Sequence, residues 1–219
     1  MKTGSVRMIG SVKSVYLYIG WAIAIGIGCP SPLSAQRSLW QKLGDQGVWG
    51  VQTNALYDAL LIPNIGVTYG FDKDWSVHLN WMYAWWKNDH QHRYWRTYGG
   101  MLEVRRWFGA CSDASPLTGH HVGLYGQLLT YDFEWGGRGY LGDKWSYAGG
   151  LSYGYTWSLG ERWRLDGSLG IGYLGGLYQE YLPIDGHYVW QSTKRRHWFG
   201  PTSAEISFIY LLGKKGGKR

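Results

Sequence analysis

Between Trp75 and Trp86 the chain reads WSVHLNWMYAWW, with Trp, Val, Leu, Trp, Tyr and Trp at odd positions and Ser, His, Asn, Met, Ala and Trp at even ones. A period of two belongs to a β-strand, whose successive side chains leave opposite faces. The same alternation, interrupted by turn residues, recurs through the body of the sequence. It predicts strands over 48–58, 63–71, 74–86, 94–108, 119–134, 144–158, 161–177 and 198–212.

The faces agree from strand to strand. Over 147–157, Tyr147, Leu151, Tyr153, Tyr155 and Trp157 share one side, and Ala148, Gly150, Ser152, Gly154 and Thr156 the other. Over 163–173, Trp163, Leu165, Leu169, Ile171 and Tyr173 oppose Arg164, Asp166, Ser168, Gly170 and Gly172. A soluble sheet turns its apolar face inward, whereas a membrane barrel turns it to lipid and fills its interior with small and polar residues. A soluble sandwich also alternates, but rarely puts Trp and Tyr on the apolar side of nearly every strand. The expected fold is therefore all-β, an eight-stranded antiparallel transmembrane β-barrel of the outer-membrane type. An even strand number suits such closure, and eight strands leave room inside only for side chains.

Connection lengths suggest an orientation. FDKD, GACSDASPLTG and SLGER follow the second, fourth and sixth strands. KNDHQHR, GGRGYLGDK and QEYLPIDGHYVWQSTKRRH follow the third, fifth and seventh. Short turns belong to the periplasmic side of such barrels and long loops to the outside, so both termini are expected in the periplasm. The first hairpin, around DALLIP, is shorter than this rule gives for its side.

Composition supports the same picture. Of 219 residues, 15 are Trp and 18 Tyr but only 5 Phe, which favours rings that sit at a boundary between oil and water. The formal charge of +7 suggests nucleic acid until it is located. Lys2, Arg7 and Lys13 in residues 1–35, and Lys214, Lys215, Lys218 and Arg219 at the other end, account for all of it. The body between is neutral, so a nucleic-acid partner is not expected.

The domain organisation expected is a signal peptide over 1–35, a periplasmic lead-in over 36–47, the barrel over 48–212 and a basic periplasmic tail over 213–219. Val15 to Gly28 supplies the apolar run of the signal, and LSA before Gln36 places cleavage after Ala35. Cys29 is alternatively a lipid-acceptor cysteine. With Cys29 removed, Cys111 is left without a partner for an intramolecular disulfide.

Candidate chemistry lies mostly on the inner face. Glu103 and Arg105 are two apart on one strand and share a face, and Arg164, Asp166 and Glu205 also fall on inward positions, as do Gln52, Asn54, His78, Asn80 and Gln127. Buried charges must pair. Glu103, Arg105, Arg164, Asp166 and Glu205 are thus expected to form an ion-pair network that plugs the lumen, and Glu103→Ala to destabilise the barrel by leaving Arg105 unpaired.

Other constellations are weaker. His90 and His92 have an H-x-H spacing that can bind metal, but histidines on a polar loop are ordinarily solvated, so no metal or other cofactor is expected. Ser76 and His78 form an S-x-H pair, yet it points into the lumen rather than towards lipid, and no catalytic residue is assigned. The segment 178–197 holds Tyr181, Tyr188, Trp190, Arg195 and Arg196, exposed aromatics beside cations that suit a protein or glycan surface and equally lipopolysaccharide heads. Ile206, Phe208, Tyr210 and Leu212 alternate as in a barrel's final strand.

TNALYD (53–58), PNIGV (63–67), EVRRWF (103–108), GHHVGLYGQ (119–127), SYGYTWSLGERWRLDGSLGIGY (152–173) and GPTSAEISFIYL (200–211) together resemble the domain of unknown function 3575 family. That family is a group of outer-membrane-type barrels of Gram-negative anaerobes. The resemblance covers nearly all of the chain after the signal. It implies a role beside fimbrium assembly or another cell-surface assembly, with outer-membrane lipid, lipopolysaccharide and fimbrial or cell-surface proteins as partners. An enzyme of envelope lipids and a narrow pore are the alternatives.

Overall fold

The computed structural model describes residues 47–88, 93–109, 115–135, 137–142, 144–184 and 187–212. The signal, the lead-in up to residue 46, Cys29, His90, His92, Cys111 and the basic tail lie outside the described residues.

The chain forms β1 (Val48–Asn54), a single helical turn α1 (Ala55–Ala59), β2 (Asn64–Gly70), β3 (Trp75–Asn88), β4 (Arg93–Phe108) and β5 (Gly119–Trp135). These are followed by β6 (Arg138–Gly142), β7 (Ser146–Ser158), β8 (Trp163–Ile184) and β9 (His187–Leu212). Every pairing is antiparallel. The ladders run β1 to β2 to β3 to β4 to β5 to β7 to β8 to β9, and β9 returns to β1, closing a ring of eight. The short β6 is added above β7, between β5 and β8. The fold is an all-β, antiparallel barrel, as the alternation predicts. Among the described residues no helix is long and apolar enough to cross a membrane.

The burial pattern is inverted relative to a soluble sheet. On β3, Ser76, His78 and Asn80 are buried while Leu79, Trp81, Tyr83 and Trp85 are exposed. On β7 and β8, Leu151 and Leu169 are each 68% exposed, whereas Thr156 and Asp166 are sealed inside. Neighbouring outward rings stack across the strands, Trp49 on Tyr69 with centroids 4.3 Å apart being the closest pair.

Three layers fill the lumen. At the end carrying the termini, Val48, Trp107, Leu117, Ile209 and Leu211 make an apolar floor. Leu117 belongs to the connection after β4, which folds back under the ring. Charged and polar groups occupy the middle. At the far end Ile62, Met82 and Ala84 pack with Tyr57, Trp95 and Leu129.

Several boundaries depart from the sequence expectation. The strand expected over 48–58 ends at Asn54, because the TNALYD and PN motifs build a helical turn. Asn54 Oδ1 accepts from Leu56 N at 3.0 Å as an N-cap, Thr53 Oγ1 donates to Asp58 at 2.7 Å, and Asn64 Nδ2 donates to Asp58 at 2.8 Å and to Asn54 O at 3.2 Å. The short first hairpin is thereby turned over the mouth of the barrel.

The segment 178–197 is not a loop. β8 and β9 pair continuously up to Ile184 and His187, with register shifts at Gly170/Ile171 and Glu180/Tyr181. Polar and apolar residues share both faces of this hairpin, so its alternation does not register as apolar against polar. β6, too, lies within a stretch the alternation leaves as a connection.

Candidate functional site

The middle layer draws one or two polar residues from each of the eight ring strands. Arg105 on β4 is its hub. Its Nε donates to Glu103 Oε2 at 2.9 Å, Nη1 to Asp166 Oδ2 at 3.0 Å and Nη2 to Glu205 Oε2 at 3.1 Å. Glu103 reaches Arg105 because residues two apart on a strand share a face. Asp166 and Glu205 come from β8 and β9, 61 and 100 residues further on.

Neutral groups hold the carboxylates in turn. Ser152 on β7 donates to Glu103 Oε1, and Thr156 on the same strand donates to Asp166 Oδ1 at 2.6 Å. His121 on β5 places Nε2 2.7 Å from Asp166 Oδ1 and lies tilted against the Trp107 ring, centroids 4.7 Å apart. On the other side Thr68 of β2 donates to Gln52 of β1 at 2.7 Å, and His78 of β3 sets Nδ1 3.1 Å from Thr68 Oγ1. His78 Nε2 lies 3.8 Å from Glu205 Oε2. Arg105 and His78 are fully buried. A charged layer of this kind is sustained only by dense pairing, since each ion has lost its hydration.

The expected network needs one correction. Glu103, Arg105, Asp166 and Glu205 do meet, but Arg164 stands apart. Its guanidinium donates to Ser115 Oγ at 2.8 Å, Pro116 O at 3.4 Å, Gly160 O at 2.8 Å and Trp163 O at 3.0 Å. Arg164 clamps the returning connection against the floor. Five donors in a planar fork suit a cluster of carbonyls as well as a carboxylate. The participation of His121, Ser152 and Thr156 went unseen in the sequence, because single small or neutral residues on separate strands leave no local signal.

Ser76 and His78 share the inner face without contacting each other as a pair. Ser76 Oγ accepts from Trp107 Nε1 at 2.8 Å, and His78 is engaged by Thr68 and Gln52. Both residues are fully buried.

The β8–β9 hairpin carries the candidate recognition residues, and they divide. Tyr181 is 5% exposed, its hydroxyl donating to Asp132 at 2.6 Å, so it is a structural contact rather than part of a recognition surface. Trp190 and Arg195 are exposed. Arg196 lies over two rings, 5.3 Å from Tyr131 and 4.9 Å from Tyr178. The side chain of Tyr188 lies outside the described residues. Lys194 Nζ donates to Glu180 at 2.9 Å, a hydrogen bond that lowers the carboxyl's pKa and raises that of the amine.

Beside this hairpin is a cleft of about 330 Å³ lined by Trp85, Arg96, Tyr98, Thr130, Tyr131, Asp132 and Leu141. Within it Arg96 pairs with Asp132 at 3.3 Å and lies 4.8 Å from the Trp85 ring.

These features define a closed antiparallel barrel with an apolar outer wall and a charge-paired interior. A family model described as Protein of unknown function (DUF3575) matches residues 32–212, and the chain belongs to that family. No curated protein matches it.

Proposed function

We propose that the protein is an outer-membrane barrel that anchors a cell-surface assembly, with fimbriae the specific case. The observation carrying the membrane half is the inverted burial. Large apolar side chains, among them Leu79, Trp81, Leu151, Leu169 and Ile171, stand half or more exposed on consecutive strands, while arginines and carboxylates are sealed inside. An apolar belt on this scale is costly in water and stable against acyl chains. Outward Trp and Tyr suit the two interfaces of a bilayer.

The anchoring half rests on the filled lumen and the projecting hairpin. Floor, charged layer and upper apolar layer leave the barrel to act by its surfaces, and the hairpin offers exposed Trp190 and Arg195. Its partner would be a surface protein or the lipopolysaccharide around it. Outer-membrane fractionation with heat-modifiable migration on a detergent gel tests the first half. Recovery as a folded monomer in plain buffer would overturn it. Deletion of the gene tests the second, and unaltered surface fimbriae and envelope integrity would count against it. Discrete conductance in planar bilayers would support the narrow pore instead. A lipid mass change abolished by altering Ser76 or His78 would support an enzyme of envelope lipids.

A further inference from the structure

Inside the ring a single guanidinium serves three carboxylates. Arg105 is the guanidinium in direct contact with three carboxylates, those of Glu103, Asp166 and Glu205, each at most 3% exposed. Arg164, the other buried guanidinium, is turned to carbonyl oxygens and Ser115.

His121 donates through Nε2 to Asp166, while its buried Nδ1 has no partner among the described residues. For His78, the Thr68 hydroxyl hydrogen goes to Gln52 Oε1, so Thr68 Oγ1 accepts from Nδ1–H. Nε2 then accepts from the Gln52 amide at 3.2 Å and lies 3.8 Å from Glu205 Oε2. In addition Glu205 Oε1 is buried with no hydrogen-bond partner among the described residues.

We propose that His78, Glu103 and Glu205 form an internal site for one divalent transition-metal cation of the zinc or manganese kind, sharing its carboxylates with Arg105. The three residues each offer a ligand atom, and these atoms lie within 4.8 Å of one another. Ligands about 2.1 Å from a tetrahedral zinc are roughly 3.5 Å apart, so an inward shift of about 1 Å brings all three atoms to bonding distance and leaves a fourth position for an exogenous ligand such as water. One imidazole and two carboxylates form a nitrogen and oxygen donor set that suits zinc or manganese. The Nδ1–H of His78 is anchored on Thr68, the outer hydrogen bond that orients a metal-binding imidazole. A dication there would share with Arg105 the carboxylates of Glu103 and Glu205. The site does not depend on what surrounds the barrel.

The test uses the mature chain refolded in detergent after chelation, titrated calorimetrically with zinc and with manganese, with magnesium as the control. The expected result is one zinc or manganese ion per barrel and a higher melting temperature of the heat-modifiable band. Glu205→Gln is expected to abolish binding, and Thr68→Val to weaken it by about tenfold or more. If Glu205→Gln fails to fold, His78→Gln takes its place with the same expectation. No uptake by the wild-type barrel would overturn the proposal. So would uptake that survives Glu205→Gln or His78→Gln and disappears when His90 and His92 are changed to alanine.

Discussion

Arg105 touches three carboxylates at once, so the consequences of removing each member differ. Glu103→Ala does not leave Arg105 unpaired, because Asp166 and Glu205 remain. The harsher change is Arg105→Met, which leaves three buried carboxylates facing one another. Breaking a buried ion pair by removing one partner costs about 3–5 kcal/mol, and Arg105→Met is expected at or above that range, with Glu103→Gln well below it. Urea unfolding of the barrel in detergent, followed by gel mobility, reads both; equal losses would contradict the hub role. Glu103, Arg105, Asp166 and Glu205 were legible as a cluster because charge on an inward position of a strand is conspicuous. The separate duty of Arg164 was not, since it depends on where the connection at 115–118 folds, and carbonyls carry no sequence signature.

At the level of elements, strand existence was legible wherever one face is apolar, and boundaries were lost where that contrast fades. Asn54 ends β1 by capping a helical turn, a choice made by hydrogen bonds to Asp58 and Asn64 rather than by periodicity. Beyond Leu177 both faces of β8 and β9 are partly polar, so the continuing hairpin reads as a loop. The meeting of β7 and β8 shows a second kind of constraint. Gly150 pairs with Gly172, and a Cβ on either would collide with backbone of the other strand, Ile171 O for Gly150 and Gly149 O for Gly172. These glycines set how closely the two strands approach. Gly172→Ala is expected to destabilise the barrel by about 1–3 kcal/mol, as overpacking does, whereas Gly126→Ala, with open space at its Cβ, is expected to have little effect. Parallel denaturation curves for the two variants decide the point. Lys194→Ala, which removes an exposed, solvent-screened pair with Glu180, is expected to leave the same denaturation curve essentially unchanged.

On the scale of the whole molecule, the decisive quantity is what touches the outer wall. Trp49, Trp75, Trp81, Trp85 and Trp163 project outward, between 38% and 51% exposed, whereas Trp107 is 2% exposed in the floor with its indole nitrogen bonded to Ser76. If acyl chains surround the barrel, outward indoles at membrane depth lie within contact distance of brominated lipid tails, and Trp107 is shielded by the strand wall. Reconstitution into vesicles of brominated phosphatidylcholine is therefore expected to quench most of the tryptophan fluorescence and to leave a residual component. Trp107→Phe should remove much of that component without altering the quenched fraction. Iodide added from the aqueous side should have its main effect on rings near the rims, Trp190 among them. The opposite pattern, with iodide reaching Trp81 and Trp163 while brominated chains reach neither, would mean that water wets the wall and that the inverted burial has some other cause. Single Trp→Phe replacements at 81 and 163 assign the signals, because each outward ring can be replaced without disturbing the charged layer on the opposite face of its strand.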